Sequence, residues 1–310
     1  MGEKSKKRGE FGEDVVLKLL ELIGWGEPLT GRDIECSNPL EHAISTRGRK
    51  EHGCDFIYRY NCPLHNNRVQ FVVISSKYND EYTSNPTSKF KPYLKDIATA
   101  LECFKKSGIR NQLKKNYSVG REYNDAGVIF WFDNGKDVND DVIERLSSSP
   151  IIENSEFDSV YLVDNKRADF LFESIMYAQN SYKNSEIEFL VPDIGYNHTG
   201  KARISSTNIM PIQFINSSIL PIKIINEAPK YEYLLLNTID DFEEEYLKRL
   251  ISLAQKLTEG WGDKIFVLFP NYNENLHGEI VENAKLEFED QRFIKKLEIS
   301  TYNPTFRTIK

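Results

Sequence analysis

Residues 53–78 read GCDFIYRYNCPLHNNRVQFVVISSKY, and the order of parts in this stretch decides the fold. Cys54 to Tyr60 has the aromatic and β-branched content of a strand, Asn61 to Asn67 holds turn residues, and Arg68 to Tyr78 is a second strand. The pair predicts a hairpin. Side chains alternate along a strand, which sends Val69, Phe71, Val73, Ser75 and Lys77 to one face. An apolar row therefore ends in Ser-x-Lys, opposite the strand that bears Asp55, where a lysine can lie close to a carboxylate in a sheet cleft.

Toward the N-terminus, Phe11, Val15, Val16, Leu19, Leu20, Leu22 and Ile23 recur at helical spacing, and Gly24 supplies a stop, so Glu10 to Ile23 is expected to be an amphipathic helix. Glu13 shares a stripe with Val16, Leu17 and Leu20, whereas Asp14, Lys18 and Glu21 point to solvent. A carboxylate at the margin of a buried face loses water unless it finds a cation, a donor or a metal. Toward the C-terminus, Pro92 can open a helix that runs to Lys106 with Leu94, Ile97, Leu101 and Phe104 inward. Strands and helices then alternate: Val128 to Phe132, Val138 to Leu146, Val160 to Val163, Ala168 to Tyr182, Ile187 to Val191. That succession predicts an α/β (α+β) architecture, a mixed sheet flanked by helices. Phe130, Trp131 and Phe132 read as sheet core rather than a base-stacking platform.

From Gly195 to Ser206 the pattern dissolves into Gly, Asn, His and Ser, which places an expected boundary near residue 200 and divides the chain into 1–200 and 201–310. The second part predicts a smaller α+β unit. Its pieces are apolar runs at Ile219 to Ile225 and Tyr231 to Leu236, a helix from Asp240 to Leu257, and strands at Ile265 to Phe269 and Phe293 to Ile299. In the helix Phe242, Tyr246, Leu250, Leu253, Ala254 and Leu257 face inward.

The 310 residues, 40% hydrophobic, suffice for one large core or two smaller ones. No stretch approaches the ~20 apolar residues of a membrane span, and the N-terminus is charged at Lys4, Lys6, Lys7 and Arg8 without an apolar region after it. A cytoplasmic chain with no membrane partner is the expectation. Four cysteines are too few for a disulfide scaffold at this length. The net charge of -7 argues against nucleic acid until its distribution is considered. Between Ser84 and Arg121 lie Lys89, Lys91, Lys95, Lys105, Lys106, Arg110, Lys114, Lys115 and Arg121 against only Asp96 and Glu102. The run Asp240, Asp241, Glu243, Glu244, Glu245 carries the opposite sign.

In order and spacing these parts resemble the PD-(D/E)xK nuclease superfamily, which has a restriction-endonuclease-like fold. Gly12-Glu13 stands where the family has a Gly-Glu pair on its first helix, Asp55 where it has an Asp on a hairpin strand, and Ser75-Ser76-Lys77 where it has (D/E)-x-K. The resemblance covers the first 110 residues well and extends toward residue 195. It implies a Mg2+-dependent (or Mn2+-dependent) endonuclease with Glu13, Asp55, Ser75 and Lys77 as the catalytic set. Glu13 and Asp55 would hold the ion, helped by the Ser76 carbonyl, and Lys89, Lys91 and Lys95 would face DNA. Ser75 departs from the pattern, because a hydroxyl is a far poorer ligand for a hard cation than a carboxylate. Some family members with Ser there take the missing carboxylate from the next helix, which nominates Asp96 and, behind it, Glu102; Asp80 and Glu81 lie in an expected loop. The chain is also similar to nuclease subunits of two-gene anti-phage systems of the GAPS4 type. That likeness implies a companion protein that controls activity, with the acidic second half as a surface for the partner or for self-association into a homo-oligomer. The competing readings are a lapsed nuclease fold acting as a nucleic-acid-binding scaffold, for which Ser75 is the argument, and a ribonuclease using the same chemistry.

Cys54, Cys62, His65 and one of Cys36 or His52 form a conceivable zinc site, but no paired C-x-x-C occurs, so structural zinc is not expected. Gly200-Lys201 lacks the glycine spacing of a phosphate loop, and neither a Gly-x-Ser-x-Gly elbow nor a His-Glu-x-x-His helix is present.

Overall fold

The computed structural model describes residues 2–43, 48–82, 84–115, 122–135, 141–147, 156–197, 204–259 and 261–305. The chain forms two compact units, 1–168 and 169–310.

The first unit begins with α1 (Gly2–Leu22), followed by β1 (Leu29–Glu35), β2 (Glu51–Asn61), β3 (Arg68–Asn79), α2 (Pro86–Lys106), α3 (Gly108–Lys115), β4 (Glu122–Asp133), α4 (Val142–Ser147) and β5 (Ser159–Val163). Its sheet has the order β1-β2-β3-β4-β5. The first three strands are antiparallel neighbours, with Phe56 opposite Ile74 and Ile57 opposite Val73. After the expected hairpin the chain crosses over through α2 and α3, so β4 runs parallel to β3, and β5 parallel to β4. The sheet is therefore mixed. The row Val69, Phe71, Val73 packs with Leu101 and Phe104 of α2, and Ile129 and Trp131 of β4 pack with Ile97. Phe130, Trp131 and Phe132 are all buried.

Several boundaries differ from expectation for identifiable reasons. Helix α2 starts at Pro86 rather than Pro92, because Asn85 caps it by accepting the Ser88 amide and Pro86 occupies the first turn, where no donor is needed; Pro92 lies inside the helix. Helix α3 and strand β1 carry weak apolar patterns and were not expected. Leu29 and Ile34 of β1 reach the same core cluster although an odd number of residues apart. The alternation slips between them, where Gly31 takes a left-handed φ of 53°.

The helix α5 (Asn165–Ser181) leads into the second unit, which contains β6 (Glu186–Leu190), β7 (Ser206–Thr207), β8 (Ile219–Glu227), β9 (Lys230–Thr238), α6 (Glu244–Leu257), β10 (Lys264–Phe269), α7 (Glu274–Leu286), α8 (Gln291–Ile294) and β11 (Leu297–Thr301). Its sheet order is β11-β10-β9-β8-β6-β7. The division falls at 168/169 rather than near 200 because β6, expected to extend the first sheet, pairs with β8. Residues 198–203 lie outside the described residues. The expected strand from Phe293 begins as the short helix α8, capped by the Asp290 side chain, and only Leu297–Thr301 is extended. Leu247, Leu250, Ile251 and Ala254 of α6 pack on Leu234, Leu236, Val267 and Ile299. The acidic run is the approach and first turn of α6, where carboxylates favour the helix dipole, and Lys248 bridges Glu244 at 3.0 Å and Glu287 at 2.8 Å. Among the described residues no helix is long and apolar enough to cross a membrane.

Candidate active site

Helix α1 meets the sheet where Gly12 crosses β3. A Cβ at Gly12 would lie 2.9 Å from Tyr78 Cβ and 3.4 Å from Ser76 Oγ, so only glycine permits this approach. The next residue, Glu13, is thereby delivered to the end of β3, with Phe11 on the other side edge-on to Tyr78 at 5.5 Å. Val16, Leu19, Leu20 and Ile23 bury the rest of the stripe, while Glu13 itself is exposed.

Asp55 is half-buried on β2. Its Oδ2 accepts the Ser76 amide at 2.6 Å, and the Ser75 side chain lies beside it. Burial nevertheless raises the Asp55 carboxyl above its ordinary range, with Asp96 adding to the rise, while the Ser76 and Ser75 donors and the Lys77 charge oppose it. Glu13 is raised as well, first by desolvation and next by the negative charge of Asp55, with Lys77 again opposing. Glu13, Asp55, Lys77 and Asp96 thus share one electrostatic neighbourhood. Ser75, nominated as a catalytic residue, stands beside the Asp55 carboxyl and brings no carboxylate of its own.

Lys77 also lines a cleft of about 590 Å³ with Arg49, Tyr93, Lys95, Asp96 and His42. Lys77 Nζ and Lys89 Nζ lie 5.7 and 5.8 Å from the Tyr93 ring centre. Asp96 faces this cleft but is held by Arg49 Nη2 at 2.7 Å. Glu102 does not reach the site, since Asn38 Nδ2 donates to it at 2.7 Å and His42 Nε2 lies 3.4 Å away. A larger cavity of about 880 Å³ in the second unit is lined by Glu259, Asp263 and Asp290 with Lys256, Arg292 and Lys296, and lies outside the unit that carries Glu13, Asp55 and Lys77.

The cationic segment is smaller than its sequence suggests. Arg110 is buried, bidentate to Asp125 at 2.8 and 2.7 Å, and Lys105 pairs with Asp158 at 3.2 Å. Arg121 lies outside the described residues. Lys89, Lys91, Lys95 and Lys106 on α2 and Lys115 on α3 remain exposed, the first three of them toward the start of α2.

The residues weighed for zinc do not converge as a set. Cys54 and Cys62 are buried thiols, Cys54 pushed up to about 12 by burial, and His65 lies against Glu122 at 3.8 Å. A different group does converge: Cys36, His42, His52 and Cys103 are all buried with donor atoms within 4.8 Å of one another. Sequence reading missed it because Cys103 lies 67 residues from Cys36 and is joined to it only by the packing of α2.

A helix-borne Gly-Glu, a hairpin Asp and a strand-end lysine thus lie together on a mixed sheet flanked by helices, the fold of a PD-(D/E)xK nuclease domain. The family model for the GAPS4 protein PD-(D/E)XK nuclease domain matches residues 1–167, and the chain belongs to that family. No significant similarity to a curated protein or to a solved structure accompanies that match.

Proposed function

We propose that the chain is a Mg2+-dependent endonuclease that hydrolyses phosphodiester bonds in DNA, serving anti-phage defence under the control of a companion protein. The observation that carries the reading is the shared field of Glu13, Asp55 and Lys77. The two carboxylates are both raised and both opposed by the same lysine, which leaves a site short of positive charge. Hard oxygen donors in that state fit a hard divalent cation. The Ser76 amide of β3 occupies part of the Asp55 carboxylate and fixes its direction, which leaves lone pairs that can ligate.

Glu13 and Asp55 would hold the ion, with the Ser76 carbonyl and Asp96 as supplements. When bound, the ion neutralises the scissile phosphate and acidifies a water. Lys77 Nζ, a donor only, orients the attacking water and stabilises negative charge that develops on the phosphoryl oxygens. Lys89, Lys91 and Lys95 hold the phosphate backbone without reading sequence. The second unit supplies the surface for the companion or for a second copy.

The test is incubation of the full chain with supercoiled plasmid and Mg2+, with and without the companion, beside Asp55→Ala and Lys77→Ala. Cleavage that both substitutions abolish supports the site, and cleavage that survives both overturns it. A chain inert with every metal and partner combination would be a scaffold instead, the reading that Ser75 and the Arg49–Asp96 ion pair favour. Preferential degradation of tRNA over linear DNA would make it a ribonuclease.

A further inference from the structure

Four buried side chains from separate segments meet beside the cleft. Cys36 follows β1, His42 lies in the β1–β2 connection, His52 is near the start of β2, and Cys103 is in the last turn of α2. We infer that these four residues form a structural zinc site, tetrahedral and closed, which fastens the β1–β2 connection to α2 and fixes the strand that delivers Asp55.

The distances match a tetrahedron. With Zn–S of about 2.3 Å and Zn–N of about 2.0–2.1 Å, tetrahedral angles put ligand sulfurs about 3.8 Å apart and sulfur about 3.6 Å from nitrogen. Here Cys36 Sγ and Cys103 Sγ are 4.0 Å apart, and each lies 3.4 Å from His42 Nδ1. Ordinary hydrogen bonding among thiols and one imidazole would account for those three residues. It does not account for His52, which is 0% exposed with neither ring nitrogen partnered among the described residues. A buried imidazole without partners is costly, and a metal that takes one lone pair removes much of that cost.

The surroundings have the form of a ligand shell. With Nδ1 turned to the sulfurs, His42 presents Nε2 to Glu102 Oε2 at 3.4 Å, and Asn38 fixes that carboxylate, the carboxylate–histidine–metal order that orients a ligating ring. The Ser37 amide donates to Cys103 Sγ at 3.3 Å, which favours the thiolate. Two thiolates and two neutral imidazoles around Zn2+ sum to zero charge, which suits a buried position. In a two-iron cluster with mixed ligands, the cysteine and histidine pairs sit on different irons, farther apart than the 4.8 Å seen here. His52 lies three residues before Asp55 on the same strand, and Cys103 and Asp96 share α2, so the ion would set the geometry of the cleft from behind.

The test is the metal content of the full chain, purified from zinc-supplemented cells and dialysed against EDTA. One zinc per chain is expected, falling to none in Cys103→Ser and unchanged in Cys62→Ser. In case the Cys103 variant fails to fold, the wild-type chain produced in cobalt medium should show thiolate-to-cobalt charge transfer and the intense visible bands of tetrahedral Co2+. A folded chain free of metal, a Cys36–Cys103 disulfide, or bound cobalt without thiolate bands would overturn the inference. These readouts are independent of cleavage.

Discussion

Replacing Gly12 by alanine tests how the site is built. The added methyl would meet Tyr78 Cβ at 2.9 Å and Ser76 Oγ at 3.4 Å. Tyr78 Cβ is one bond from the backbone and cannot swing away, so relief requires α1 to back off β3 by roughly 0.5–1 Å to reach carbon contact near 3.5–4.0 Å. Overpacking of this kind costs about 1–3 kcal/mol, and alanine returns about 1 kcal/mol of helix propensity, so the net loss is about 0–2 kcal/mol. In the first unit that is a fall in Tm of at most ~8 °C. Cleavage should suffer far more: the retreat carries Glu13 away from Asp55, and misplacement by ~1 Å can cost on the order of 100-fold. Gly9→Ala on the same helix has nothing within 4 Å and is the control, with Tm level or slightly raised and cleavage intact. Thermal unfolding and plasmid nicking read both variants. Gly12→Ala with wild-type cleavage would refute the claim that this contact sets the position of Glu13.

Asp55→Asn should abolish cleavage yet stabilise the metal-free chain near neutral pH. The native Asp55 carboxyl is raised, so between its unfolded and native values the folded state holds more protons, and stability falls as pH rises through that window. Urea midpoints between pH 4 and 8 should show this decline in the wild type and a flatter profile in the variant; equal slopes would count against it. Arg110→Ala or Asp125→Ala strands a buried charge and should cost about 3–5 kcal/mol, or roughly 6–20 °C in Tm. A smaller drop would mean that water reaches the pair. Changing Lys89, Lys91 and Lys95 together to alanine should weaken DNA binding for all sequences alike and reduce the salt slope of log K by about 2–3. An unchanged slope, measured by anisotropy across a salt series, would take DNA off this face of α2.

What the sequence revealed and what it hid follow from the range of the interactions. The β2–β3 hairpin and its inward row Val69, Phe71, Val73 were legible because local alternation alone decides them. Helix α1 was legible for the same reason, and the role of Gly12 lay one residue from the candidate glutamate, visible once β3 was seen to cross there. The charge of Arg110 misled, because its partner Asp125 is supplied by another element and turns an apparent surface cation into a buried pair. The pairing of β6 with β8 was hidden because hydrophobic pattern marks a strand without naming its neighbour. The Cys36–His42–His52–Cys103 cluster combined both difficulties: one ligand comes from α2, and the slip at Gly31 defeats strict alternation on β1.

Ser75 looks like a defect only if a carboxylate must stand on β3. In the fold its side chain lies beside Asp55, which accepts the Ser76 amide, so at this spot β3 contributes a donor that orients Asp55 in place of a carboxylate. A third carboxylate at that spot would raise Asp55 further, since desolvation already does so and Asp96 adds to it. The chain instead carries the extra carboxylate across the cleft on α2, neutralised by Arg49 at 2.7 Å. Taken as ionised, Glu13, Asp55 and Asp96 give three negative charges against three positive from Lys77, Arg49 and Lys95, which lines the same cleft. One divalent cation then leaves the cleft two units positive, a charge that draws in a phosphate backbone. On the proposed reading, Arg49, from the connection that also carries His42, is the group that sets how much of Asp96 the ion can use.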